Sequence, residues 1–416
     1  MDVQTVKSPG GIEAWLVEEH ALPTLALRFA FEGGGSQDPV GKDGLASFVA
    51  AMLSQGAGDM SGVEFQERLE DHAIHLEFEA GRDAVGGSLE TLTEDRDVAV
   101  RLFRLAINEP RFDSDAVECI RERLFAFQAN AARNPFDVAS RNWDAVAFAG
   151  HPYARLLQGT RKTVGGITLD DLKSYCARTF ARNALTVVAV GDITPKDLCR
   201  LLDNAFGDLP ARADFVPLPR ATPISGYREA VTHMDIPQSV VCFGMDGIGT
   251  DDPDYMAACV LNQIVGGDTM ASKLAEELRL KRGLAFSIWT SVVPFRHASV
   301  FRGSISTCSD TVEEALDVIR DTLKDTAAGG IDETDLGSAK RYLIGSFPLS
   351  FDTNAKIASQ LLRLCGFGSD FLRRRTALIA AVTLDDVKRV ARRMLRTENL
   401  IVTIAGRATC PQAKAS

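Results

Sequence analysis

The chain has 416 residues, of which 45% are hydrophobic and 25% are charged, and its net charge is −10. This composition excludes a disordered chain, and the acidic balance argues against nucleic acid as the main partner, because phosphate binding needs a basic surface. No apolar stretch reaches the ~18 residues of a membrane span, so none is expected.

The first half of the chain predicts a group of strands followed by a group of helices. Residues 24–31 alternate as a strand, a glycine-rich turn follows at 33–35, and residues 44–55 have a helical pattern. A hairpin is predicted from 75–80 and 84–89. Further helical patterns cover residues 94–108, 115–131 and 135–148.

One segment of the chain is repeated. Residues 167–173 (ITLDDLK) recur as 382–388 (VTLDDVK), and in each copy a threonine precedes a helical pattern that has two carboxylates in its first turn. A β-branched run that ends in glycine follows each copy, at 185–191 and 400–406. A repeat of this size indicates a duplicated domain.

The two copies meet in a proline-rich segment. Four prolines lie within residues 209–226, at positions 210, 217, 219 and 223, and such density opposes helix continuation. We therefore predict domains at 1–208 and 227–416, joined by a linker at 209–226. The order of strands and helices predicts the α+β class, in which each domain is a largely antiparallel sheet with helices packed on one face.

Three stretches of the chain resemble the insulinase-like, or pitrilysin-type (M16), metallopeptidases. They are residues 38–46 (DPVGKDGLA), residues 150–153 (GHPY) with 159–160, and residues 272–287 (SKLAEELRLKRGLAFS). The resemblance runs from Gly11 to about Gly406. It implies two homologous domains of the fold shared by mitochondrial processing peptidase and LuxS.

The resemblance also locates a zinc site whose ligands are missing from this chain. In the family, one helix carries His-x-x-Glu-His and a later helix carries a glutamate ligand. The matching ligand positions here are Ser47, Ala51 and Phe127, and the general-base position is Ala50. None of these side chains offers an imidazole or a carboxylate, so no metal is predicted in this chain.

The family's second half contributes an arginine and a tyrosine to the zinc site, across a clam-like chamber. The matching residues are Arg279 and Phe286, so the guanidinium is kept and the phenolic hydroxyl is lost. Arg279 is predicted to orient peptide substrate, and the alternative is a solvated charge at a helix end. A glycine-rich substrate loop of related subunits implies substrate contact at Gly266 and Gly267.

Three functions remain open on these observations. The first is a zinc-free subunit of a bacterial-type heterodimeric peptidase, whose homologous partner binds zinc, activates water and cleaves peptides. The second is a structural or peptide-binding subunit without a catalytic contribution, like the core proteins of respiratory complex III. The third is an independent zinc enzyme with unrecognised ligands. When alone, the chain is expected to be able to pair with itself.

Other candidate sites have simpler interpretations. His72 and His75 lack a third ligand at a suitable spacing, and the glycines at 33–35 lack the Lys-Ser/Thr of a phosphate-binding loop. The eight cysteines form no Cys-x-x-Cys pair and are expected to be buried thiols of a reducing compartment. No signal-peptide pattern is visible, so we expect a soluble cytoplasmic protein, or a periplasmic one if a leader has been removed.

Overall fold

A computed structural model describes residues 1–267 and 270–407. Its strands are β1 (Gln4–Lys7), β2 (Glu13–Glu18), β3 (Thr24–Glu32), β4 (Gly56–Ala57), β5 (Met60–Ser61), β6 (His75–Ala80), β7 (Ala84–Leu92), β8 (Leu185–Gly191), β9 (Arg228–His233), β10 (Gln238–Asp246), β11 (Ala285–Pro294), β12 (Ser299–Cys308) and β13 (Ile401–Gly406).

Helices occur in groups between these strands along the described chain. They are α1 (Leu45–Met52), α2 (Gly62–Asp71), α3 (Arg96–Asn108), α4 (Ser114–Ala131), α5 (Pro135–Ala147), α6 (Arg161–Gly165), α7 (Leu169–Thr179), α8 (Pro195–Phe206), α9 (Tyr255–Gly266), α10 (Lys273–Ala275), α11 (Val312–Ala327), α12 (Glu333–Gly345), α13 (Asn354–Leu364), α14 (Phe371–Ala381) and α15 (Leu384–Met394). None of the described helices is both long and apolar enough to cross a bilayer.

The chain forms two compact units, each made of separate stretches of sequence. The first unit contains Met1–Gln128, Leu156–Pro217 and Phe347–Leu372. The second contains Ala129–Arg155, Leu218–Ser346 and the described chain from Arg373 onward. Helix α13, which follows most of the second half in sequence, therefore belongs to the first unit, and α5 belongs to the second.

The first unit is built on a six-stranded sheet in the order β1-β2-β8-β3-β7-β6. Its pairings are antiparallel except for β2 with β8. Phenylalanines fill the core on one face: the rings of Phe29 and Phe103 are 4.7 Å apart, and those of Phe103 and Phe206 are 5.4 Å apart. Helix α13 covers part of the other face through Ala358 and Leu361.

The second unit has a five-stranded sheet in the order β11-β12-β10-β13-β9, in which only β13 and β9 are parallel. Helices α9, α11 and α15 bury their apolar sides on one face. Helix α5 packs on the other face, where the Trp143 indole donates a 3.1 Å hydrogen bond to the carbonyl oxygen of Ile401. The Arg302 guanidinium lies 4.9 Å from the Trp143 ring centroid.

The predicted α+β class with two similar domains is confirmed, and the structure adds one helix on the second face of each sheet. Both threonines of the sequence repeat cap helices, because Thr168 accepts from the Asp171 backbone at 3.3 Å and Thr383 from that of Asp386 at 3.2 Å. Residues 209–226 contain no helix or strand. The predicted domain boundaries at residues 208 and 227 were drawn from the repeat in the sequence, and they stay a prediction.

Candidate functional site

Helix α1, which holds three of the four zinc-site positions, is anchored by a buried aspartate. Asp38 is 6% exposed, and its carboxylate accepts the backbone N–H groups of Gly44 at 2.9 Å, Leu45 at 3.1 Å and Ala46 at 2.9 Å. These are donors that the first turn of a helix leaves unpaired. Burial raises the pKa of Asp38 to about 7, although the three donors favour the anion.

On this helix, Ser47 and Ala51 are four residues apart and share one face. The Ser47 hydroxyl donates a 2.8 Å hydrogen bond to the carbonyl oxygen of Leu157. Ala50 is 4% exposed and lies in the core, and Ala51 packs against that core from a half-buried position. Ala50 and Ala51 therefore contribute to packing, and Ser47 contributes a hydrogen bond to the backbone.

The position predicted to match the third family ligand, residue 127, lies on α4. Phe127 is 51% exposed, whereas the amide of the next residue, Gln128, donates a 2.7 Å hydrogen bond to the carbonyl oxygen of Gln158. Helices α1 and α4 are therefore both hydrogen-bonded to one loop, at the adjacent carbonyl groups of Leu157 and Gln158. The loop thus connects the two helices that carry the predicted ligand positions.

These residues do not fit a zinc ion. One hydroxyl, two methyl groups and a phenyl ring supply no imidazole or carboxylate, and zinc sites need at least three such protein ligands. Among residues 1–267 and 270–407, no cluster of three or more potential ligand residues suits a metal. His72 instead makes a 2.6 Å contact with Asp95, and His75 lies 3.1 Å from Glu77 on β6.

In the second unit, Gly266 and Gly267 end α9, and both are buried. A Cβ atom at Gly266 would lie 2.6 Å from Cγ2 of Thr290, and one at Gly267 would lie 2.3 Å from the amide oxygen of Gln263. Close packing therefore explains the glycines at both positions. Their contact with substrate stays a prediction.

Arg279 lies on a π-helical turn, Glu276–Lys281, that continues α10. Such turns are rare and occur frequently at functional sites. The guanidinium is exposed and donates to the Met270 sulfur at 3.4 Å, and no carboxylate pairs with it among the described residues.

The two cations next to Arg279 are paired. Lys281 contacts Glu276 at 2.9 Å and Glu277 at 2.7 Å, and Arg282 also pairs with Glu277. Hydrogen bonds from Lys281 and Arg282 hold the pKa of Glu277 below its usual value. Of these three cations, Arg279 alone keeps its guanidinium available for an anionic or carbonyl ligand.

Phe286 occupies an irregular point of the edge strand β11. The register with β12 shifts between Ala285 and Ser287, so Phe286 is the extra residue of a β-bulge, and its ring is 52% exposed. Bulges of this kind often redirect a side chain next to an active site. The ring can shape a surface, but it has no hydroxyl to donate.

Three groups that organise this region were not predicted from the sequence: the Asp38 carboxylate, the Leu157 carbonyl and the Gln128 amide. A capping rule applied to α1 points to Asp43, the acid just before Gly44, because N-caps are usually adjacent to the helix. The tight Pro39–Lys42 turn instead brings Asp38 to the helix end, where the Lys42 N–H donates to the Pro39 carbonyl at 2.9 Å.

Known proteins resemble this chain over most of its length. A family model described as "Insulinase (Peptidase family M16)" matches residues 16–161, and one described as "Peptidase M16 inactive domain" matches residues 166–343. The Helicobacter pylori protein named "Non-peptidase homolog YmxG" is 28% identical over 336 residues, which cover 81% of this chain and 78% of that protein.

Two further comparisons extend over nearly the whole chain. The mitochondrial-processing peptidase subunit beta of Lentinula edodes is 23% identical over 402 residues, covering 92% of this chain and 85% of that protein. The crystal structure of a peptidase M16 inactive domain from Pseudomonas fluorescens has a TM-score of 0.92 and 26% identity, and covers 99% of both chains. The chain belongs to the peptidase M16 (insulinase) family, as a member without the zinc-binding residues.

Proposed function

We propose that this chain is the zinc-free subunit of a two-chain M16 peptidase. The names of its relatives, a non-peptidase homolog and an inactive domain, support a member that does not cleave peptides by itself. The likeness to a processing-peptidase subunit supports assembly with another chain of the family. The partner would carry His-x-x-Glu-His and zinc, and would perform the hydrolysis.

Within that assembly, Arg279 orients the peptide substrate. The observation that supports this role is that Arg279 has no carboxylate partner among the described residues, whereas the charges of the nearby Lys281 and Arg282 are paired. A guanidinium can donate two parallel hydrogen bonds to a carboxylate, or donate to a peptide carbonyl. Phe286 would contribute shape and apolar contact beside it, without stabilising an oxyanion.

The test is a peptidase assay of three samples: this chain, the zinc-bearing partner, and their mixture. We expect cleavage only, or mainly, in the mixture. If the partner cleaves peptide equally well with and without this chain, the proposed role is wrong. If the mixture binds peptide but this chain leaves turnover unchanged, the result would favour the structural or peptide-binding alternative. The hydrogen-bonded packing around Ser47 is compatible with that alternative as well.

A further inference from the structure

A cleft lies at the end of strand β10 in the second unit, and the proline-rich segment contributes to its lining. The cleft consists of two cavities, of about 260 Å³ and 400 Å³, that share lining residues. The residues common to both are Thr222, Asp246, Gly247, Ile248 and Arg393. Residues 220–225 also line it, so part of the predicted linker forms a surface of the second unit. We call the two cavities together the β10 cleft.

Hydrogen bonds within the chain hold the proline-rich side of this cleft in place. The Ala221 N–H donates to the carbonyl oxygen of His297 at 2.6 Å. The Asn399 side chain accepts the Gly226 N–H at 2.9 Å, which ties the segment to the turn after α15. Because the walls are fixed by these bonds, a ligand can bind with little additional ordering of the chain.

Opposite charges line the β10 cleft without forming ion pairs with each other. Asp246, the last residue of β10, is exposed and has no cationic partner within ion-pair distance among the described residues. Arg396 lines the smaller cavity, is exposed, and has no carboxylate partner in the described part of the chain. Partial loss of hydration raises the pKa of Asp246, and the charges of Arg220, Arg393 and Arg396 act against that rise. The arginines are therefore close enough to act on Asp246 through space.

The other two arginines of the cleft already have carboxylate neighbours. Arg393 contacts Asp252 at 2.5 Å and Asp254 at 3.4 Å. Arg220 lies 4.0 Å from Asp251, and both of these side chains are mostly exposed. Within the described lining, one guanidinium and one carboxylate, those of Arg396 and Asp246, thus remain available to charged groups of a ligand.

We propose that the β10 cleft binds a small zwitterion, a free α-amino acid with an apolar side chain. The ammonium group of the ligand donates to the Asp246 carboxylate, and its carboxylate accepts from the Arg396 guanidinium. Its side chain contacts the buried Met245, Ile248 and Met394, which line the smaller cavity. The site needs no zinc-bearing partner, so the inference goes beyond the proposed peptidase role.

The same lining disfavours ligands that carry a single charge. An inorganic anion on Arg396 would be repelled by Asp246, and an organic cation on Asp246 would be repelled by Arg396. A metal ion also lacks ligands, since no cluster of three or more potential ligand residues suits a metal within residues 1–267 and 270–407. A zwitterion matches both charges at once.

Isothermal titration calorimetry of the full native chain tests the site with three related probes. Leucine carries both charges, N-acetyl-leucine lacks the ammonium group, and leucinamide lacks the carboxylate. We expect saturable binding of leucine, and affinities lower by at least about tenfold for both analogues, because each loses a charged hydrogen bond. Absence of leucine binding, or equal binding of either analogue, would overturn the proposal.

Substitutions locate the binding in the cleft. Asp246→Asn and Arg396→Gln should each weaken leucine binding by about 10–100-fold. Arg392→Gln is the matched control, because Arg392 is also an exposed arginine of α15 but lines neither cavity, and it should bind leucine as the native chain does. Circular dichroism verifies that every variant is folded. Leucine binding that survives both cleft substitutions would show that the β10 cleft is not the site.

Inorganic phosphate distinguishes an anion site from the proposed one. We expect phosphate to compete poorly with leucine in the native chain. If phosphate competes well, and Asp246→Asn strengthens phosphate binding without weakening that of leucine, the cleft is an anion site and the proposal is wrong. All of these titrations use this chain alone, so their outcome is independent of the peptidase assay of the mixture.

Discussion

The Ser47 hydroxyl donates a 2.8 Å hydrogen bond to the carbonyl oxygen of Leu157, at the position that we predict to match the family's first zinc ligand. One residue further along the loop, Gln158 accepts a hydrogen bond from Gln128 at 2.7 Å. The helices α1 and α4, which carry the predicted ligand positions, are thus both hydrogen-bonded to one loop. At these positions the side chains therefore serve packing and backbone hydrogen bonding.

Removing the Ser47 hydroxyl should cost stability. In Ser47→Ala, the Leu157 carbonyl loses its partner at a partly buried point, for an expected loss of about 0.5–1.5 kcal/mol in the free energy of unfolding. Gln128→Ala should cost a similar amount. Urea unfolding with a double-mutant cycle measures both, and we expect the losses to be coupled because both bonds hold adjacent residues of one loop. Fully additive losses would show that the two bonds act independently.

The purified chain should bind no stoichiometric zinc. Its family ligand positions supply no imidazole or carboxylate, so dialysis against zinc followed by elemental analysis should give well under one ion per chain. One tightly held ion per chain would revive the interpretation as an independent zinc enzyme.

Arg279→Ala should lower kcat/KM of the mixture with a zinc-bearing partner by about 10–100-fold, the effect of losing about 1.5–3 kcal/mol of charged hydrogen bonding. Arg282→Ala is the matched control, because Arg282 is already paired with Glu277. Light scattering should show an intact complex for both variants. Equal loss in the control, or unchanged turnover in Arg279→Ala, would contradict the assignment.

Stability at acid pH should depend on the α15 cap. Hydrogen bonds from the Thr383 hydroxyl and backbone, and the nearby Arg389, lower the pKa of Asp386 from 3.8 to about 2. A carboxyl whose pKa falls on folding stabilises above its unfolded pKa and loses that effect as pH drops from about 4 to about 2. Thr383→Ala should cost about 0.5–2 kcal/mol at pH 7, and less at pH 2, in chemical unfolding.

Asp38 should show the opposite pH dependence. Its pKa is raised from 3.8 to about 7 on folding, so its contribution is fully present below about pH 4 and declines as pH rises through 7. The stability difference between the native chain and Asp38→Asn should therefore shrink between pH 4 and pH 8. A difference that grows over this range would show that the backbone donors of Gly44, Leu45 and Ala46 outweigh burial.

Local patterns predicted much of the fold. The β6–β7 hairpin, the helices α4 and α5, and the threonine caps of α7 and α15 all lie where periodicity and capping residues indicated. Each of these features depends on residues close in sequence, whose spacing is visible without the fold. The exchange of α5 and α13 between the compact units was not predicted, because an amphipathic pattern does not say which sheet a helix will cover.

The absence of zinc ligands at the predicted positions follows from residue type alone, since Ser47, Ala50, Ala51 and Phe127 offer no imidazole or carboxylate in any fold. The match of Arg279 and Phe286 to the family's arginine and tyrosine stays a prediction from the sequence. The structure was needed to show that Arg279 has no carboxylate partner in the described part of the chain while Lys281 and Arg282 are paired, because ion pairs depend on side-chain geometry. Likewise, only folding brings Asp38 and the Leu157 carbonyl to α1, through turns and long-range contacts that carry no local sequence pattern.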